Sequence, residues 1–410
     1  MAKKLFKASA DKPLDKATYA ELFFDLVFVF CVRTILPIIT DAGSNPDWYT
    51  YYTFTFTFVL MLQIWFGSTL LMNRFGTGGV LDIVFLFTNM FLLFVMTQAI
   101  STSWTHYMVY NVCWILVLAN TAVHWLIRYK RIDDPDQQVK TDTRWVVSVL
   151  AVQVILILAS NLFSHVPAQV VCLIALLAGF SFWFAGGRAH LGTEGCEHLS
   201  ERCSLLMILM FGEMLIGFGD IVSAGSWMFF PVMYFLLIVG MFLIYLNEIV
   251  NMLDLTRLRG GRRYMALSAW MAFCAANVTA AFEMAADGKS LMGMGADLYF
   301  GASVAVFLIC FLFYIPFNKT HYPSNTWITA RCLLCLLVMA QTSVVVMAVN
   351  GSLPGVLGDY AGQAMMVIAV AAVYAVLMID RIALHRGNRK AAVGVGEVSE
   401  EVLEAEVLDD

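Results

Sequence analysis

Apolar residues run along this chain in unbroken stretches of about 20, separated by short polar breaks. Coiled as a helix at 1.5 Å per residue, such a stretch crosses a hydrocarbon core of about 30 Å. Twelve stretches have this form: 20–41, 49–73, 79–100, 105–128, 144–164, 167–186, 203–224, 227–252, 264–286, 296–317, 326–349 and 361–384. They are continuous rather than alternating, so they predict helices and not barrel strands. The expected fold is all-α: a polytopic membrane protein with about 12 transmembrane helices. Composition agrees. The chain is 60% hydrophobic and 13% charged, where a soluble domain carries about 25% charged residues. There is too little polar sequence to cover a water-soluble fold, and no room for an aqueous-domain enzyme.

The basic residues orient the spans, because Lys and Arg collect in cytoplasmic loops. The first tail holds Lys3, Lys4, Lys7, Lys12 and Lys16. Even-numbered connections and the far end hold Arg128, Lys130, Arg131, Lys140, Arg144, Arg257, Arg259, Arg262, Arg263, Arg381, Arg386, Arg389 and Lys390. Arg74, Arg188, Arg202 and Lys319 fall on the same side, whereas Lys289 alone falls on the other. Arg33 and Arg331 lie inside spans. Both termini are therefore expected in the cytoplasm, and the protein in the inner (cytoplasmic) membrane as a multi-pass protein. The opening "MAKKLFKASADKPLDKATYAE" has no apolar core of the secretory kind. The closing "EVSEEVLEAEVLDD" is an acidic tail.

Spans one, two and three map onto seven, eight and nine with an offset of 180 residues, as hydropathy symmetry rather than sequence identity. Six spans per half keep the same orientation, so the expected architecture is two parallel six-helix repeats. The organisation read is 1–19, a basic cytoplasmic tail; 20–186, the first repeat; 187–386, the second; and 387–410, the acidic tail.

Charges inside this pattern are the candidate chemistry. "TYAELFFDLVFVF" (18–30) opens span one yet holds Glu21 and Asp25, four apart and on one face. Arg202, at similar depth in span seven, is the expected partner of Asp25. Under the offset, Glu21 matches Glu201 and Arg33 matches Glu213. Arg33 and Glu213 both lie near mid-membrane, where an isolated charge costs about 2.5–3.5 kcal/mol on insertion scales, so the two are expected to meet. Arg202, Glu213 and Asp220 are 11 and 7 apart, within roughly 20° of one line on a helix. Gly212, Gly217 and Gly219 flank that line and would admit a helix or water. The stripe suits a hydrophilic pathway; it equally suits a buried polar network that locks helix packing. Asp82 and Glu283, near span ends, read as interfacial anchors.

Other signals are weak. "GRAHLGTEGCEHLSERC" (187–203) gathers His190, Cys196, His198 and Cys203, but the spacing fits no tight zinc template. His198 is read as a hydrogen-bond partner at the inner mouth, and no metal or cofactor is expected. The nine cysteines are scattered, and Cys332-x-x-Cys335 lies within a span. No nucleotide-binding or hydrolase motif occurs in proper context, and no catalytic residue is assigned.

"AELFFDLVFVF" (20–30) and "HLSERCSLLMILMFGEMLIG" (198–217) closely resemble the two signature segments of the bacterial low temperature requirement A family, and "WFGSTLLMNRF" (65–75) looks like a third. The match places Glu21, Phe24, Asp25, Phe28, Arg202, Gly212 and Glu213 on the family's pattern, with Phe24, Phe28, Gly212 and Gly217 assigned to helix packing. Ser204 stands where glycine is expected. The resemblance implies an integral membrane protein linked by name to growth in the cold, with no settled molecular activity. A more distant likeness is to potassium channels of two six-helix repeats, whose first helices carry a Phe-Ser-Asp motif. "FFDLVFVF" looks like that pattern with Phe24 in place of serine, and Leu26, Val29 and Met207 would then supply an apolar constriction.

Three functions follow. The favoured one is a channel or transporter for a cation, proton or small solute, with helices one and seven lining the route past Glu21, Asp25, Arg33, His198, Glu201, Arg202, Glu213 and Asp220. The second is a non-catalytic membrane factor in cold adaptation. The third is a membrane-embedded enzyme acting on lipid, which would need its polar groups at one depth instead of spread across the bilayer. The expected partners are the lipid bilayer and a cation or proton. No nucleic acid is expected, and an oligomer is compatible with the pattern.

Overall fold

The computed structural model describes residues 17–379, except 77, 102–103, 133, 136, 164–165, 186–195, 224–228, 258–260, 288, 293 and 320–365, together with 381–382 and 385–387. Apart from two two-residue strands, Ser290–Leu291 and Met294–Gly295, every named element among these residues is helical. In chain order the α-helices are α1 (Tyr19–Ile35), α2 (Pro37–Thr40), α3 (Trp48–Phe75), α4 (Val80–Ala99), α5 (Tyr107–Lys130), α6 (Gln137–Ser160), α7 (Val166–Ala185), α8 (Cys196–Ser223), α9 (Phe229–Leu246), α10 (Arg262–Ala286) and α11 (Ala296–Cys310). A further apolar helix covers Met366–Ile379.

Nine helical segments among the described residues are long and apolar enough to cross a membrane. Two shorter apolar helices, Pro167–Phe180 and Met366–Ile379, lie where the sixth and twelfth spans are expected. The expected span 326–349, with Arg331, Cys332 and Cys335, falls outside the described residues.

The chain gathers into two compact units. Unit 1 holds residues 1–213 and 258–293, and unit 2 holds 214–257 and 294–410. The inner part of α8, which the hydropathy symmetry places at the head of the second half, thus belongs to unit 1. Within unit 1, α4 packs on α1 and α5, α6 on α5 and α7, and α10 on α2 and α3. Helices α3 and α10 are the most heavily buried spans. α3 is buried on most of its circumference and holds polar side chains such as Gln63, Thr69 and Asn73 among its buried residues. Asp47 caps its start by accepting from the N–H (2.9 Å) and hydroxyl (2.8 Å) of Thr50, and these bonds hold the Asp47 carboxyl below its ordinary range.

α1 begins with a capping box. The Thr18 side chain accepts from the Glu21 N–H, and the Glu21 carboxylate accepts from the Thr18 N–H at 2.8 Å. Its buried face is Glu21, Phe24, Asp25, Phe28, Val29, Cys31, Val32 and Ile35, the spacing of one helical stripe. Pro37 has no N–H to donate, and it divides α1 from α2 within one apolar span.

In unit 2, α9 runs into a π-helical segment, Asn247–Met252. Glu248 is fully buried there and accepts from Asn318 Nδ2 at 2.9 Å. Asp254, beyond the span, accepts from the Thr256 hydroxyl and N–H, which keeps its carboxyl below the usual range.

Candidate functional site

Residues from α1, α3 and the inner turns of α8 build the inner cluster. Arg202 forks between two carboxylates: Nη1 lies 2.9 Å from Glu21 Oε1, and Nη2 lies 2.6 Å from Asp25 Oδ1. Both acids lie on α1 one turn apart, so one guanidinium reaches both. Helix α3 closes the site with residues at four-residue spacing. Trp65 Nε1 donates to Asp25 Oδ1 at 2.7 Å, and its ring lies 5.8 Å from the Arg202 guanidinium carbon. Thr69 Oγ1 accepts from Arg202 at 3.4 Å, and Asn73 Oδ1 lies 3.2 Å from His198 Nδ1. His198 Nε2 is 3.3 Å from Glu21 Oε2. Glu201, half-buried beside this cluster, accepts from the Ala17 N–H at 2.9 Å. The side chains of Glu21, Asp25, His198 and Arg202 are 0% exposed. Burying so many charges is tolerable only because each ion has an oppositely charged or hydrogen-bonding neighbour.

A second cluster lies two to three turns further along the same pair of helices, roughly 12–16 Å away at 1.5 Å per residue. Arg33 Nη1 is 3.5 Å from Glu213 Oε1, and the same atom also pairs with Glu283 of α10. Glu213 is buried, while Arg33 and Glu283 keep partial exposure. Glu213 Oε2 has no hydrogen-bond partner among the described residues, and neither do Asp25 Oδ2 and Arg202 Nε in the inner cluster.

Several expectations are corrected. Asp82, read as an interfacial anchor, faces neighbouring helices. It is buried, accepts from Arg128 Nε at 2.8 Å, and lies 2.8 Å from His124 Nε2. Glu283 likewise serves Arg33. Nearness to a span end measures depth along the helix, whereas burial depends on which side faces a neighbour. Leu26 is 51% exposed and so lines no constriction within the unit, while Val29 and Met207 are buried. Phe24 and Phe28 are fully buried, and Phe28 packs edge-on against Phe58. Gly212 is exposed, and a Cβ built there would meet nothing within 4 Å, so among the described residues no helix approaches it. Gly217 is buried in unit 2. Asp220 lies on α8 in unit 2, and its side chain falls outside the description, as do His190 and the side chain of Cys196.

The structure thus brings Glu21, Asp25, His198 and Arg202 together with Glu201 close by, and separately joins Arg33 to Glu213. Trp65, Thr69, Asn73 and Glu283 were not among the expected site residues. The first three recur every fourth residue in the "WFGSTLLMNRF" segment, a helical stripe that could have marked them. Among the described residues no group of three or more His, Cys, Asp or Glu is placed to hold a metal ion.

A family model described as "Bacterial low temperature requirement A protein (LtrA)" matches residues 16–375. No curated protein and no solved structure matches the chain.

Proposed function

This chain belongs to the bacterial low temperature requirement A family, and on that premise we propose that it is a channel or transporter for a cation or proton, with α1 and α8 lining the route. The observation that carries this is Glu213. Its carboxylate is buried near the middle of a membrane span, shares Arg33 with a second carboxylate, and has the Thr279 hydroxyl as its other polar neighbour, with no well-formed hydrogen bond to Oε2 among the described residues. A carboxylate so placed is stabilised by a bound cation or a proton and exchanges either one when the other arrives. The inner cluster supplies a second station on the same two helices.

The protein is a multi-pass protein of the bacterial inner membrane with twelve helices and both termini in the cytoplasm. The nine candidate spans, the two shorter apolar helices and the apolar stretch 326–349 support that number. The contact of Arg33 with Glu213, residues 180 apart, supports two parallel repeats, because equivalent positions meet where a pseudo-symmetry axis passes. Asp220 extends the stripe outward on α8.

The test is flux. Purified protein in liposomes, with imposed gradients of potassium, sodium or protons, is expected to pass at least one of them faster than empty liposomes. No excess flux for any of the three would remove the proposal.

A second reading, a non-catalytic membrane factor in cold adaptation, draws on the inner cluster. Its four central side chains are fully buried and mutually bonded, which suits a lock between α1, α3 and α8.

A further inference from the structure

Away from both ion clusters, unit 1 contains a cavity of about 40 Å³. Its walls come from α3, α5, α6 and α7, and most of them are apolar, including Ile64, Val117, Leu118 and Val149. Three polar side chains break the apolar lining: Gln63, Thr121 and Gln153. By position each is near the middle of its helix, where an unsatisfied amide is expensive.

Gln153 is fully buried. Its Nε2 donates to the carbonyl oxygen of Ala175 at 3.0 Å and to Gln63 Oε1 at 3.3 Å. A carbonyl oxygen cannot donate, so the contact with Ala175 fixes which end of the amide is nitrogen. The other end, Oε1, is then an acceptor, and it receives no donor among the described residues. A buried amide oxygen left in that state costs about 1–3 kcal/mol. Gly179 makes the arrangement sterically feasible. A Cβ there would run into the amide nitrogens of both Gln63 and Gln153, so any larger residue would drive the two amides towards the cavity.

We propose that this cavity is a binding site for small neutral hydroxylic molecules, water or a short alcohol, which donate to Gln153 Oε1. The chemistry excludes ions, since no charged side chain lines the walls. The size excludes anything large, since one water occupies about 10–15 Å³ on this scale and the cavity holds roughly three. Purely apolar walls would leave it dry, but the glutamine pair and Thr121 provide polar anchors. The site stands independently of the transport route.

Radiolytic hydroxyl-radical labelling of the full chain in lipid nanodiscs tests it, because bound water is converted to radicals that oxidise only adjacent side chains. In wild type, Val117 and Leu118 are expected to be labelled although both are buried. Leu93, equally buried but outside the cavity, sets the background, and the exposed Tyr19 reports bulk solvent. Labelling at background in the cavity while Tyr19 reacts would overturn the proposal. Gly179→Ala and, as a second variant, Gln153→Met should both lose the Val117 and Leu118 signal, and persistence in both folded variants would also overturn it. Glycerol or ethanediol added to wild type separates the two sources. The alcohol scavenges radicals in bulk, so each signal is taken relative to Tyr19: loss of the cavity signal beyond the fall at Tyr19 identifies an alcohol site, and a cavity signal that falls no further identifies water; either identification requires the labelled wild-type cavity.

Discussion

At the inner cluster one arginine meets two carboxylates, and all three side chains are 0% exposed. At the mid-span cluster one arginine again meets two carboxylates, but Arg33 is 28% and Glu283 is 14% exposed. The charge inventory is alike and the surroundings are not. Around the inner cluster Trp65 donates to Asp25, Thr69 accepts from Arg202, and Asn73 meets His198, so side chains of α3 and α8 enclose the ions. Arg33 pairs with Glu283 and lies 3.5 Å from Glu213, whose second oxygen has no hydrogen-bond partner among the described residues. What differs is exposure: the inner ions are fully enclosed, whereas Arg33 and Glu283 keep partial access. On our proposal the same pair of helices carries a fixed joint at one end and an exchangeable site near the middle.

The contrast breaks most visibly at Arg202. Arg202→Gln leaves Glu21 and Asp25 buried without their cation, which costs about 3–5 kcal/mol when one partner of a buried pair is removed. We expect a large loss of folded protein, read as monodisperse yield and melting temperature in detergent. Combining it with Asp25→Asn should restore part of the loss, so the double variant is less damaged than the two single effects predict. Strict additivity would show that the 2.6 Å contact carries no coupling.

A smaller effect is expected at Trp65. Trp65→Phe keeps an aromatic ring beside Arg202 and deletes only the N–H donated to Asp25. Hydrogen bonds to charged groups contribute about 1.5–3 kcal/mol, so the melting temperature should fall clearly without loss of insertion. An unchanged melting temperature would mean that Asp25 is held by Arg202 alone.

Gly212 gives the smallest effect. Nothing lies within 4 Å of a Cβ built there, and alanine is favoured over glycine in a helix interior by about 0.8–1.0 kcal/mol. Gly212→Ala should be neutral or mildly stabilising in a melting experiment. Marked destabilisation would indicate a close neighbour at that face and would weaken the view of an open mid-span site.

Position along the helix was legible in the sequence, and direction around the helix mostly was not. Hydropathy runs put Glu21 and Asp25 at the start of span one and Arg202 at the start of span seven, where the three meet, and the 180-residue offset set Arg33 against Glu213. Asp82 and Glu283 looked like anchors because their positions along the span were clear and their facing sides were not. Trp65, Thr69 and Asn73 were hidden for a related reason: each residue type is ordinary inside an aromatic-rich membrane helix, and only their four-residue spacing distinguishes them. The Gln63–Gln153 contact joins residues 90 apart on different helices, and no local pattern announces such a pairing.

The most direct test of the exchangeable mid-span site is Glu213→Gln, measured as proton and cation flux in liposomes alongside the melting temperature of the same preparation. Glutamine keeps the size and bonding reach of glutamate, and Arg33 retains Glu283. The account predicts a variant that inserts and melts like wild type but passes little or no cation or proton. Wild-type flux at every pH tested, in a variant equally well folded, would contradict it.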